Sequence, residues 1–270
     1  MRVFEHADTI ALPDVRVAVC GDWHGNLGWV RMLASAIRVL APDVSTVLQL
    51  GDWWMDPHAT DAVFVDAGIE RVLVTPGNHE PWPQLTTALE THPGAAVGVS
   101  ERTWLLPRPF RFDIGGRRFL SLGGAASVDR EWRVPGVDWW PDEAITDEHV
   151  SAAIAGGRAD VMLTHESPAR TPVRTVQDVL RVNPLGLPTQ PRIESAASRV
   201  RVVQVWDAVA PAVLLHGHMH TPGDGVTADG RRVVSLGRDC QEGHVAFLDL
   251  ATLRVETPSL EQLREASRNG

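Results

Sequence analysis

The chain has 270 residues, 44% of them apolar, and a formal net charge of −9. That is enough apolar sequence for one large α/β domain or two small ones, while the acidic balance argues against a non-specific nucleic-acid binder, which needs basic patches. All 25 cationic side chains are arginine and tyrosine is absent, so Schiff-base lysines, P-loop lysines and tyrosine nucleophiles are excluded.

Two cysteines, Cys20 and Cys240, make no disulfide framework and fit a reduced setting. The opening residues MRVFEHADTIALPD lack the apolar run of a signal peptide. No segment is long and apolar enough to span a membrane. The expectation is a soluble, cytoplasmic protein.

In chain order, Val15 to Cys20 reads as a buried strand ending in Gly21-Asp22. Asn26 is placed to cap a helix whose apolar face is Trp29, Val30, Leu33, Ile37 and Leu40, with Pro42 as its stop. Val44 to Leu50 is a second strand, ending in Gly51-Asp52. A short helix over Thr60 to Ala67 leads to a third strand, Arg71 to Thr75, ending in Pro76-Gly77-Asn78-His79. This alternation implies right-handed βαβ units and a parallel or mixed sheet. Ligands in such sheets bind at the carboxyl ends of strands, so the three loops should lie side by side.

Farther on, Phe110 to Ile114 and Arg118 to Leu122 flank Gly115-Gly116, a hairpin signal. Glu143 to Ala155 reads as a helix with Glu143, Asp147 and Glu148 on a solvated face, and Asp160 to Leu163 as a strand before Thr164-His165. Residues 167–192 are proline-rich with little periodicity and read as a long loop or flap. Ile193 to Val209 reads as a helix, and Ala212 to Leu215 as a strand leading into His216-Gly217-His218-Met219-His220. Short strands and turns fill Gly225 to Val255. There is no repeat or linker, and the histidine-bearing loops span residues 22 to 220, so one domain over residues 1–270 is expected.

Seven strong ligand side chains fall just past these strands: Asp22, His24, Asp52, Asn78, His165, His218 and His220. Carboxylate, imidazole and amide oxygen suit manganese, iron, zinc or nickel, and the lack of a cysteine cluster argues against structural zinc. In Asp22-x-His24 and His218-x-His220, an extended segment would aim both side chains the same way. A carboxylate such as Asp52 offers one oxygen to each of two cations.

These residues carry a resemblance. The order Gly21-Asp22-Trp23-His24-Gly25, Gly51-Asp52, Gly77-Asn78-His79-Glu80, Thr164-His165 and Gly217-His218-Met219-His220 resembles the calcineurin-like metallophosphoesterase superfamily. Thirty residues separate Asp22 from Asp52, and twenty-six separate Asp52 from Asn78, which fits as well. Gly123-Gly124-Ala125 through Asp129-Arg130 to Trp139-Trp140 is similar to a stretch in bacterial and phage members.

The resemblance implies an α/β fold, a sandwich of two mixed β-sheets flanked by helices. It implies two divalent cations, manganese first. Asp22, His24 and His220 would hold one, and Asn78, His165 and His218 the other, with Asp52 bridging. His79 would bind neither; it would stabilise the phosphoryl group or protonate the leaving oxygen. Two such cations about 3.5–4 Å apart activate a shared water near neutral pH and offset phosphate charge. The expected activity is hydrolysis of a small phosphomonoester or phosphodiester, with nucleotides as the leading substrate. A nuclease of the same superfamily and a catalytically weak binding scaffold are the alternatives.

The sequence departs from the family at one point. Members often place a second acid three residues after the bridging one to orient the catalytic histidine, and here that residue is Met55. Asp56 and Glu80 are the candidate substitutes. Trp53, Trp54 and Trp82 could stack a base or cover the core, and coverage is the commoner role. Arg130 and Arg133 could hold a phosphate bidentately, and exposed, solvated positions are the commoner outcome. His216 is equally suited to a buried role behind the site and to touching substrate.

Overall fold

Val17 and Val19 point to one side of their strand, Ala18 and Cys20 to the other, and all four are fully buried. A strand covered on both faces must lie inside a layered structure. The computed structural model, which describes residues 1–270, shows the layers.

In chain order the strands are β1 (Glu5–Ala7), β2 (Ala11–Leu12), β3 (Arg16–Cys20), β4 (Thr46–Gln49), β5 (Arg71–Val74), β6 (Ala96–Gly98), β7 (Thr103–Leu105), β8 (Phe110–Ile114), β9 (Arg117–Leu122), β10 (Val161–Thr164), β11 (Val213–His216), β12 (Gly223–Val226), β13 (Arg232–Ser235), β14 (Val245–Asp249) and β15 (Val255–Glu256). The helices are α1 (Leu27–Leu40), α2 (Pro57–Asp66), α3 (Trp82–Glu90), α4 (Asp147–Ala155), α5 (Arg174–Val182), α6 (Thr189–Val209) and α7 (Leu260–Asn269).

One sheet has eight strands in the order β1-β6-β7-β5-β4-β3-β14-β15, the other seven in the order β12-β13-β11-β10-β9-β8-β2. In the first, β3, β4, β5 and β7 run parallel while β14 pairs antiparallel with β3. In the second, β9, β10, β11 and β13 run parallel and β8 joins β9 antiparallel. The Gly115-Gly116 turn of that hairpin has φ of 57° and 74°, the paired left-handed residues that match the strand twist.

Val17, Val19, Leu48 and Leu73 of the first sheet meet Phe112, Phe119, Leu163 and Leu215 of the second in a core between the sheets. On the far face of the first sheet, Leu33 and Ile37 of α1, Phe64 of α2, Leu85 of α3 and Leu263 of α7 bury its opposite side chains. On the far face of the second, Val150 of α4, Val176 of α5 and Val202, Val205 and Trp206 of α6 do the same. This is the four-layer sandwich of two mixed sheets between helices. Each fully buried aliphatic side chain contributes about 1.5–3 kcal/mol relative to exposure.

The expected elements are present, with adjusted ends. Asn26 caps α1, its Oδ1 accepting from the Trp29 N–H at 3.0 Å. Asp56 caps α2 by accepting from the His58 N–H at 3.0 Å; loss of such a cap costs about 1 kcal/mol. Two expectations are corrected. Residues 167–192 are no loop: α5 lies inside them and α6 begins at Thr189. Their prolines bracket the helices instead of interrupting them, which a first turn tolerates because its N–H groups have no intrahelical partner. The segment also docks on the start of β12, where the Thr175 hydroxyl donates to the Pro222 carbonyl at 3.0 Å. Glu143, expected on a solvated helix face, precedes α4 and is 3% exposed. Thr146 caps that helix instead. No helix is long and apolar enough to cross a membrane.

Candidate metal centre

The carboxyl ends of β3, β4 and β5 and those of β10 and β11 open at one rim of the sandwich, and the loops beyond them interlock. The Asp52 carbonyl accepts from the N–H groups of Trp23 (3.2 Å) and His24 (2.8 Å), tying the first two loops together. The third loop joins them through the His79 N–H, which donates to Asp52 Oδ1 at 2.9 Å. The last is tied in by the His218 N–H, 3.2 Å from both oxygens of Asp22. Gly51 is required here: its φ is 97°, and a Cβ would lie 2.5 Å from the His165 ring and 2.6 Å from Gly77.

Two donor sets result. In one, ligand atoms of Asp22, His24, Asp52 and His220 all lie within 4.8 Å of one another. His220 Nε2 is 3.0 Å from Asp22 Oδ2, and His24 Nε2 is 3.6 Å from Asp52 Oδ2. In the other, His165 Nε2 lies 2.9 Å from Asn78 Oδ1 and 3.4 Å from Asp52 Oδ1. The His218 ring stands 5.0 Å from the His165 ring. Asp52 therefore turns one oxygen toward each set. All seven expected ligand residues come together, with His79 beside them.

The mechanism of convergence is corrected in one respect. His24, His218 and His220 have φ of 46°, 64° and 49°. Left-handed turns aim these side chains, not an extended two-residue repeat.

The electrostatics describe a cluster short of positive charge. Burial alone would lower the His24 pKa, but the carboxylates of Asp52, Asp239 and Asp22 outweigh it and raise it to about 9. His165 is raised against its burial by Asp52 and Asp22. Burial opposes ionisation of Asp52, yet His165, His24 and His79 hold its carboxyl well below the ordinary range. His218 is lowered by burial and by His165, the direction that favours its neutral form.

Hydrogen bonds fix which atoms face inward. His165 Nδ1 donates to the Leu50 carbonyl at 2.6 Å, which leaves Nε2 for the centre. Asn78 Nδ2 donates to Ser127 Oγ at 2.9 Å, so its Oδ1 faces His165. Imidazole nitrogen, amide oxygen and carboxylate oxygen then converge, and once the imidazoles give up their inward protons the set consists of acceptors alone. Such a set fits a divalent cation.

Three acidic residues that sequence reading did not assign to the site hold this arrangement. Asp239 Oδ1 lies 3.0 Å from His24 Nδ1, and its Oδ2 accepts from Asn26 Nδ2 at 2.7 Å. Asp239 thereby sets the tautomer and aim of His24, the usual work of a carboxylate behind a ligating imidazole. Glu143 accepts from the Ser127 hydroxyl at 2.9 Å and its N–H at 2.9 Å, supporting the residue that orients Asn78. Burial pushes Glu143 up to about 7.

The third is Asp129, whose Oδ2 is 3.3 Å from His79 Nε2. It offers His79 the carboxylate that Met55 cannot. Neither expected substitute does so, because Asp56 caps α2 and Glu80 serves the backbone. Glu80 Oε1 accepts from the N–H groups of Trp53 at 3.0 Å and Gly77 at 3.1 Å. It is buried, and desolvation followed by repulsion from Asp52 raises it to about 7. Asp129 lies in the 123–140 stretch whose family likeness was noted, the one signal that pointed toward it.

Other expectations resolve simply. His216 is fully buried, with Nδ1 2.9 Å from the Gly217 carbonyl, so it backs the site. Arg133 is not solvated: its Nη1 donates to Ser127 Oγ at 2.6 Å and lies 3.6 Å from Glu143. Arg130 pairs with Glu194 of α6 at 2.8 Å.

Comparison with known proteins bears on the family and the fold. The family model described as calcineurin-like phosphoesterase matches residues 15–222. No curated protein sequence matches significantly. Among solved structures, a dimetal phosphatase from Danio rerio aligns with a TM-score of 0.52 at 15% identity, covering 88% of this chain and 93% of that one. The Thermus thermophilus protein TT1561 aligns with a TM-score of 0.51 at 15% identity, covering 90% and 98%. At such identity these likenesses speak for the fold alone, and the matched family model makes the assignment: the chain belongs to the calcineurin-like phosphoesterase family.

Proposed function

We propose that the chain is a metal-dependent hydrolase of small phosphomonoesters or phosphodiesters. One observation carries the reading: Asp52 turns its two oxygens toward two separate donor sets, and His79, fixed by its own N–H to that same carboxylate, stands beside both. Asp22, His24 and His220 would hold one divalent cation and Asn78, His165 and His218 the other, with Asp52 shared. When bound, the pair supplies water activation and neutralises phosphoryl charge. Manganese is the first choice of metal. The whole chain is read as one catalytic domain, because both sheets contribute ligands, and as a cytoplasmic one.

The protein's own groups do the rest. Asp239 and the Leu50 carbonyl keep one nitrogen of His24 and one of His165 directed inward. Burial holds the His79 pKa below the ordinary imidazole value, with Asp52 and Asp129 opposing. An arriving phosphate adds negative charge and moves that ring toward its protonated form, the state that donates to a leaving oxygen. Asp129 steadies the imidazolium. A positioned acid of this kind contributes about 10²–10⁴-fold.

The test is hydrolysis of bis-p-nitrophenyl phosphate and p-nitrophenyl phosphate by metal-stripped protein, with Mn²⁺, Ni²⁺, Zn²⁺ or Mg²⁺ restored. Metal-dependent turnover is expected, and the diester-to-monoester ratio narrows the substrate. Two bound equivalents without turnover on any phosphoester would overturn the proposal.

A further inference from the structure

Ten tryptophans are spread along the chain, and those nearest the centre mostly serve the core. Trp23, Trp53 and Trp82 are each 1% exposed. Trp54 is 42% exposed. Its indole centroid lies 5.4 Å from that of His24, with the planes at 69°, and 5.4 Å from that of His79, again at 69°. One open aromatic ring thus stands between an imidazole of the first donor set and the imidazole proposed to meet the leaving oxygen.

Packing does not explain that placement. Trp54 has a φ of 47° and follows Gly51 at 97° and Asp52 at 51°. A bulky residue in the left-handed region is an outlier, and such conformations persist only where the surroundings impose them. Here they do. The Glu80 carboxylate accepts from the Trp53 N–H at 3.0 Å and lies 3.5 Å from the Trp54 nitrogen, and the Trp53 carbonyl accepts from the Gly25 N–H at 3.2 Å. A buried acid therefore clamps the turn in a conformation that pushes Trp53 into the core and holds Trp54 out in water. A large apolar ring kept at the mouth of a polar, charged site is suited to contact with substrate.

The geometry points to Trp54 as a stacking platform for the group esterified to the phosphate, selecting phosphoesters with a planar aromatic portion over aliphatic ones of equal charge. The inference rests on the phosphoesterase reading above. A phosphoryl group held by the donor sets and met by His79 has its ester side next to the indole. A flat ring, whether a nucleobase or a simple aryl group, covers the exposed face of Trp54, whereas a puckered or branched group of similar size cannot lie flat on it. Stacking of this kind is worth about five- to a hundred-fold in affinity.

The test uses probes that cannot be cleaved, bound to Mn²⁺-loaded protein and followed by calorimetry. Phenylphosphonate and cyclohexylphosphonate match in charge and size but differ in planarity. The 5′-phosphonate isosteres of adenosine monophosphate and ribose 5-phosphate differ in the base. The expected result is tighter binding of the planar member by at least about five-fold in one pair or both. Discrimination in the first pair identifies an aryl group, and in the second alone a nucleobase. Trp54→Leu should reduce the ratio to near one, and Trp54→Phe should retain most of it, both with unchanged Mn²⁺ stoichiometry. Equal binding within both pairs by the unaltered protein overturns the platform while leaving the phosphoesterase reading intact. So does a ratio that Trp54→Leu fails to change. Failure of all four phosphonates to bind overturns that reading and the platform with it.

Discussion

The two donor sets of the centre are built differently. Asn78, His165 and His218 sit in the interior: His165 is fully buried and Asn78 1% exposed. Their free orientations are removed by nearby structure, namely the Leu50 carbonyl at the end of β4 and the Ser127–Glu143 pair. His24 and His220 sit at the surface, with side chains 17% and 40% exposed. His24 is aimed by Asp239, from a distant segment of chain. Burial preorganises one half, and a reaching carboxylate does so for the other. The interior half should bind its cation tightly and exchange it slowly, and the surface half should depend on its supporting acid.

The most severe way to break this comparison is to remove the residue that both halves share. Asp52→Asn should abolish turnover and lose both metal equivalents, measured by elemental analysis after desalting. Loss of a single equivalent would confine Asp52 to one half. Next in size, His79→Ala should keep both equivalents and lose about 10²–10⁴-fold in rate on a poor leaving group. Full activity there would remove His79 from proton transfer.

Asp239→Asn sharpens the comparison most directly. It should weaken one equivalent by about 10–100-fold and leave the other unchanged, giving a two-phase calorimetric titration. A uniform change in both phases would contradict the division of the site. That half should show proton linkage, as should the interior half through His165, which is raised too. His24, raised to about 9, must lose a proton to ligate, so affinity for the surface equivalent should climb with pH and level off near that value, with proton release on binding. Asp129→Asn should have the smallest effect. Losing that negative charge lowers the His79 pKa, so the alkaline limb of the pH–rate profile should move to lower pH with metal content unchanged.

Much of this was legible in the sequence. The strand-end residues Asp22, Asp52 and Asn78 declare themselves through buried β-branched runs ending in glycine turns, and His165, His218 and His220 through the short apolar strands before them. Sheet topology then brings strand ends together without further information. The supporting acids were not legible, and the reason is physical. Asp129, Glu143 and Asp239 look like ordinary surface carboxylates until tertiary structure sets them against a particular imidazole or hydroxyl. Glu80 and Asp56 were natural guesses for orienting His79, because Glu80 follows it and Asp56 follows Met55, but backbone N–H groups claimed both. The α5 helix was hidden because flanking prolines mask the periodicity of a nine-residue segment. Helices α3 and α7 were not anticipated either.

One feature of the first sheet bears on the order in which the protein is made. Strand β3, which delivers Asp22, is flanked by β4 on one side and on the other by β14, from the far end of the chain. The His24–Asp239 contact spans 215 residues. On the ribosome, the N-terminal strands emerge long before the partner that closes this edge, and an unpaired strand edge invites association with other chains. Pairings this remote are also slow to form. The surface half of the centre is therefore completed only after nearly the whole polypeptide has been synthesised, so a cation pair held by both halves would be loaded no earlier than the end of synthesis.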